Sequence, residues 1–170
     1  MKLFVGLGNP GREHKNNRHN VGCMLVDRTV ADRGLSWTSE GKFKADLAKD
    51  PSTEDVFAKP QTFMNKSGEA VAALVNFFKL DPKDLVILYD DVDLDFGRIK
   101  KQFGGRSAGH HGIESILEKL GTEMFWRVRF GIGRPVLNPR DVYNWVLTNF
   151  SKEELDVVAA VNLTDLLDMH

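Results

Sequence analysis

Cysteine is nearly absent: Cys23 is the only one among 170 residues. An internal disulfide is thereby excluded, and a lone thiol fits a reducing compartment, so a cytoplasmic protein is expected. Long apolar runs are missing too, since none approaches the roughly 18 residues of a membrane span. Residues 1–6 read as a strand and not as a leader peptide, because glycine and charge interrupt them too soon. Repeats, low-complexity tracts and linkers are lacking, which predicts one domain over residues 1–170. Net charge is also lacking: at −1 the whole molecule does not advertise a polyanionic partner.

The distribution of charge says more than its sum. Between Phe96 and Ile113 there is no acid, while Arg98, Lys100, Lys101 and Arg106 are basic and His110 and His111 join them. Asp81, Asp84, Asp90, Asp91, Asp93 and Asp95 gather just upstream. A local basic patch on a near-neutral protein suits a phosphate backbone. A solvated edge strand protected by lysines has the same composition, and both readings stay open on charge alone.

Hydrophobic patterning predicts a strand over residues 2–7 and a helix over about 20–33, stopped by Gly34. Short strands follow around Trp37, over 43–48 and over 56–59. A loop over 60–68 leads into a helix over 69–80, and Asp81-Pro82 restarts the chain as N-cap and first helical residue. Residues 85–89, LVILY, form a continuous apolar run of the kind found in a strand covered on both faces. A strand over 98–103, a glycine-rich loop over 104–112, a helix over 113–120 and a strand over 127–132 come next. Two helices finish the chain, one capped by Asn138-Pro139 and one opened by a capping box of Ser151 and Glu154. Alternating strands and helices predict an α/β fold, a three-layer sandwich with a twisted mixed β-sheet flanked by helices.

Several motifs compete for the chemistry. Gly6, Gly8 and Gly11 spell a G-x-G-x-x-G behind a strand, the fingerprint of a dinucleotide site. The helix, however, begins too late for a pyrophosphate to sit on its N-terminus, because Arg12 to Asn20 hold no apolar residue before Val21. These glycines instead let a loop leave the sheet sharply and bring Asn9 close to a ligand. Gly105 to Gly109 spell G-x-S-x-G around Ser107, but a nucleophile elbow needs an acid and then a histidine downstream. The only histidine after His111 is His170. The acids from Asp90 to Asp95 have the oxygen chemistry of a magnesium site, although such runs are more often solvated turns. Cys23 sits among Met24, Leu25 and Val26 on a buried helix and is a poor nucleophile. His19 is the better candidate. It occupies a polar loop at the mouth of a buried helix, the strand-end Asp90 is placed to orient its ring, and Asn9 and Asn65 lie on loops that flank it. A histidine held by a carboxylate is a water-activating base, and amides beside it suit a substrate with peptide-like groups.

Six blocks then resemble one family. Gly6-Leu-Gly-Asn-Pro-Gly11, Arg18-His19-Asn20, Pro60-Gln-Thr-Phe-Met-Asn65 with Ser67-Gly68, Asp90-Asp-Val-Asp93-Leu, Gly109-His110-x-Gly112 and Arg127-Val-Arg-Phe-Gly-Ile-Gly133 resemble bacterial-type peptidyl-tRNA hydrolase in order and spacing. The resemblance implies hydrolysis of the ester joining a peptide to the 3′ adenosine of tRNA, which frees tRNA from stalled translation, without metal, cofactor or covalent intermediate. It implies His19 as general base, Asp90 as the acid that orients it, and Asn9 as a residue that discriminates N-blocked aminoacyl-tRNA. It implies Phe63, Met64 and Asn65 along the peptide channel, and Lys100, Lys101 and Arg129 as tRNA-contacting cations. The resemblance is to a monomeric enzyme with tRNA as partner and no membrane. Two positions depart from the pattern: His14 stands where the family usually has Tyr, and His111 where it usually has Asn. A neutral imidazole offers one donor and one acceptor where an amide offers two donors and an acceptor. The chain also ends earlier than many relatives. The alternative from another class is an RNA-binding relative of the same fold with weakened catalysis.

Overall fold

The structure, a computed structural model, describes residues 1–169. In chain order the elements are β1 (Leu3–Gly6), α1 (Val21–Asp32), β2 (Thr38–Glu40), β3 (Ala45–Lys49), β4 (Val56–Pro60), α2 (Ser67–Phe77), β5 (Leu85–Asp91), β6 (Ile99–Phe103), α3 (His111–Leu120) and β7 (Trp126–Gly131), followed by three short helices, α4 (Val142–Val146), α5 (Lys152–Ala159) and α6 (Leu163–Leu166). The strands form one mixed sheet in the order β2-β3-β4-β1-β5-β7-β6. The inner four, β4, β1, β5 and β7, run parallel, and antiparallel strands close both sides.

Alternation along the central strands sorts the core into two layers. Phe4, Val86 and Leu88 face one side, against α1 and the C-terminal helices, while Leu3, Val5, Leu85 and Ile87 face the other, against α2 and α3. β5 is buried along its whole length, as expected for a strand covered on both faces. The expected α/β sandwich is therefore the fold observed. Among the described residues, no helix is long and apolar enough to cross a membrane.

Three local readings differ from the sequence expectation. The strand predicted over 43–48 starts at Ala45, because Gly41–Phe43 makes a 3-10 turn and Lys44 adopts a left-handed φ of 53°. Asn138-Pro139 does not open a helix; it forms a turn in which the Asp141 N–H donates to the Asn138 carbonyl, and α4 begins at Val142. The C-terminal segment holds a third helix, α6, capped by Asn162. The capping box at Ser151 and Glu154 is present.

One packing contact fixes where the site forms. A Cβ on Gly22 would lie 2.1 Å from the Leu88 carbonyl oxygen, and one on Gly6 would lie 2.3 Å from the Gly22 carbonyl oxygen. Missing side chains thus let the first turn of α1 rest backbone against backbone on β1 and β5. Gly6 serves this contact and Gly8 leaves room for the side chains of Asn20 and Cys23, while of these three glycines Gly11 alone, with φ of 105°, uses the left-handed region.

Candidate active site

The connection after β1 leads to α1 on one face of the sheet, and the connection after β5 leads through β6 to α3 on the other. Divergent connections beside each other open a crevice beyond the carboxyl ends of parallel strands. A cavity of about 870 Å³ occupies that crevice, within the range of small-ligand sites. Asn9, His19, Asn65, Asp90, His111 and Arg129 are among the residues lining it, so the structure brings together side chains that are distant in sequence.

At the floor, His19 Nδ1 lies 2.8 and 3.0 Å from the two oxygens of Asp90, across a sequence separation of 71 residues. Both groups are buried. The acceptors fix the proton on Nδ1, which leaves Nε2 as the lone-pair nitrogen. A second imidazole shares the carboxylate: His110 Nε2 is 2.9 Å from Asp90 Oδ1. His110 Nδ1 accepts from the Ile113 backbone N–H, so His110 is the N-cap of α3 and its proton is on Nε2, donated to Asp90. Burial alone would raise the Asp90 carboxyl. The charges and hydrogen bonds of His19 and His110 outweigh that and hold it well below the usual carboxylate range. The same three residues have the composition of a metal site. The wiring of His110 opposes that use, because a metal on Nε2 would require a proton on Nδ1, facing the Ile113 N–H donor.

Around this floor the walls carry amides and apolar groups. Asn9 Oδ1 accepts from the Met64 N–H at 2.7 Å, and the Asn9 backbone is clasped by Asn20, so the Phe63–Asn65 segment is fixed to the loop after β1. The Asn9 side-chain NH2 and the exposed Asn65 amide have no hydrogen-bond partner among the described residues. Phe63 projects at 64% exposure above the buried Met64. His111 lines the cavity as the first residue of α3, with Nδ1 3.2 Å from Glu114 Oε2. His14 is not in the cavity wall: its Nδ1 lies 2.8 Å from Asn17 Oδ1.

The cations divide by strand alternation. Lys100 stands opposite Arg129 in the β6–β7 pairing, on the cleft face, where Arg129 binds Asp91 and Gln102. Lys101, one residue on, points to the opposite face, and its ammonium donates to the carbonyls of Asp165 and Asp168. The acids from Asp90 to Asp93 are likewise committed: Asp90 to the imidazoles, Asp91 to Arg129 and Asp93 to Arg134. Ser107 sits in the loop before α3, where its hydroxyl oxygen meets Glu114 and the Gly109 N–H and hydrogen-bonds no imidazole among the described residues. Burial pushes the Cys23 thiol up to about 12, which removes it as a nucleophile at neutral pH.

Sequence reading assigned no role to three features. His110 stood in a motif, but an imidazole is an unusual N-cap, and nothing in the spacing shows that it reaches Asp90. Arg127 is fully buried, with no carboxylate partner among the described residues; it donates to the carbonyls of Gly105 and Arg106 and so props the glycine-rich loop. A third wall comes from α4 through Val142, Tyr143 and Val146.

Comparison with known proteins places this geometry in context. The peptidyl-tRNA hydrolase family model matches residues 3–168. The chain is 44% identical to the peptidyl-tRNA hydrolase of Citrifermentans bemidjiense, over 99% of this chain and 90% of the relative. It is 42% identical to that of Geotalea uraniireducens, over 99% of this chain and 89% of the relative. Among solved structures it is similar to the crystal structure of peptidyl-tRNA hydrolase from Acinetobacter baumannii, with a TM-score of 0.87 and 30% identity over 94% of this chain and 81% of that one.

Proposed function

From the premise that this chain belongs to the peptidyl-tRNA hydrolase family and hydrolyses the ester of peptidyl-tRNA, we propose that His19 does so as a general base acting on water. The observation that carries this reading is the buried His19–Asp90 pair, with Nδ1 spent on the carboxylate and Nε2 free of any partner among the described residues. Water gives a proton to Nε2 as its oxygen attacks the ester carbonyl carbon. The bond to the ribose oxygen breaks, and the proton passes on to that departing oxygen. Asp90 holds the tautomer and stabilises the imidazolium that forms between these steps. His110 holds Asp90 from the other side.

The peptide lies along Phe63 and Met64, where the Asn9 and Asn65 amides and His111 meet its main chain. Asn9, held to Met64, is the group nearest the base loop that reads the blocked N-terminus. On the tRNA side, Lys100 and Arg129 share the cleft face and contact phosphate; Lys101 anchors α6 beneath them, and His14 steadies the turn before His19. Residues 1–170 act as one unit, since strands from Leu3 to Gly131 share one sheet. The working form is a cytoplasmic monomer: the lone thiol fits a reducing compartment, while the three-residue β2 and the lysine-bearing β6 protect both sheet edges.

General-base catalysis contributes on the order of 10²–10⁴ in rate, so His19→Ala loses at least the lower figure in turnover of N-acetyl-aminoacyl-tRNA while remaining folded by circular dichroism. Near-parental turnover in that variant would end the base assignment. Parental tRNA affinity with no turnover in the unmodified chain would instead identify a non-catalytic RNA-binding relative.

A further inference from the structure

We propose that Arg18, which takes no part in the chemistry, is a positioning residue that rivets the α4 wall of the cavity to His19. The inference rests on the base assignment above and deepens it.

Arg18 is 7% exposed and belongs to the same 3-10 turn as His19, Arg18–Asn20. The partners of its side chain among the described residues come from the far end of the chain. Nη1 donates to Thr148 Oγ1 at 2.7 Å and to the Asn149 carbonyl at 2.6 Å, and Nη2 donates to Glu154 Oε1 at 2.8 Å. The guanidinium lies 3.8 Å over the Trp145 ring, and the Arg18 N–H donates to the Thr148 carbonyl. Neighbours repeat the attachment: Asn17 Nδ2 donates to Asn149 Oδ1 at 2.7 Å, and the Phe150 N–H donates to the Asn16 carbonyl. Trp145 is itself held by Gly133 through its indole N–H. The residues around it on α4, Val142, Tyr143 and Val146, line the cavity. One planar side chain therefore spans the base loop, the cavity wall and the start of α5.

Stability alone is a poor account of this arrangement. Arg18 Nε is buried without a partner, and a buried ion pair with an unsatisfied donor is commonly no better than an apolar replacement of similar volume. What a rigid, multiply bonded fork supplies is geometry. A base displaced by about 1 Å costs on the order of 10² in rate, so the orientation of His19 is where the clamp takes effect.

The test compares full-length Arg18→Lys, Trp145→Ala and Glu154→Gln with the parent chain, each containing 15N-histidine and assayed below its unfolding temperature. Lysine keeps the charge and loses the fork. Expected for Arg18→Lys is a fall in kcat of about tenfold or more with KM held within about twofold. The His19 15N resonances should move from the Nδ1-protonated pattern toward tautomer averaging. Trp145→Ala follows in the same direction, and Glu154→Gln shows the same two changes in smaller measure, which keeps the test open if Arg18→Lys does not fold. A kcat unchanged per folded molecule, or a loss of kcat with the His19 resonances unmoved, overturns the proposal. The resonances report the ring independently of turnover, so a failed base assignment, seen in His19→Ala, is distinguishable from a failed clamp.

Discussion

At Asp90 two imidazoles share one carboxylate, and their effect on its protonation is opposite in sign to that of burial and outweighs it. The folded Asp90 carboxyl titrates below its ordinary range. Its ionised form therefore stabilises the fold in full above the unfolded value of about 4, and that contribution fades as pH falls toward the depressed folded value. Asp90→Asn should accordingly lower the urea midpoint at pH 7, with the gap to the parent narrowing below about pH 4. Turnover of the same variant should fall on the order of 10² with KM little changed, since the amide cannot stabilise an imidazolium. His110→Asn separates the two duties of His110. Asparagine is a good N-cap, so α3 keeps its start and the unfolding midpoint falls less than in Asp90→Asn, while turnover drops about tenfold or more because Asp90 loses one of its two holders. The His19–Asp90 pairing was legible in the sequence, because a polar residue at a helix mouth and an acid at the end of a buried strand are both out of place in a core. His110 was not, because its contact depends on where the glycine-rich loop turns. That turn uses left-handed φ at Gly104, Gly105, Ala108 and Gly109 and the Arg127 prop behind it.

Between elements, the docking of α1 on β1 and β5 is governed by atoms that Gly22 lacks. Gly22→Ala would drive a methyl to 2.1 Å from the Leu88 carbonyl oxygen, and a backbone atom in a central strand cannot yield cheaply. Overpacking of this kind costs about 1–3 kcal/mol or more, readable as a lowered urea midpoint. Turnover per folded molecule should also drop, because relief of the clash lifts the first turn of α1, and with it His19, away from Asp90. A stable Gly22→Ala protein with parental turnover would show that the contact does not set the site. α1 and β5 were readable because their patterns are long and unambiguous. Phe43 was mistaken for strand because an apolar residue in a 3-10 turn carries no distinguishing period. The start of α4 was mistaken because Asn-Pro marks a turn as readily as a cap.

For the molecule as a whole, a net charge of −1 conceals a basic edge. Lys100 lies on the cleft face and Lys101 on the other, so the two should part company in a salt titration. Lys100→Ala raises KM for the tRNA substrate and flattens its salt dependence, whereas Lys101→Ala leaves the salt slope near parental and loosens the C-terminal segment. Equal slopes for both variants would remove the face distinction. Composition reveals the cations but not this division, and the parallel order β4-β1-β5-β7 could not be read from any one segment, since it depends on which helices cover which face. The contact between α1 and the two central strands has one more consequence. The Leu7 N–H donates to the Leu88 carbonyl, and the Cys23 N–H donates to that of Leu7, so the backbone beneath His19 is threaded through the innermost ladder. Its amides are shielded from solvent deuterium until the sheet itself comes apart. The floor beneath His19 therefore loosens only with the sheet, while the aim of the ring above it rests on Asp90 and on the Arg18 clamp.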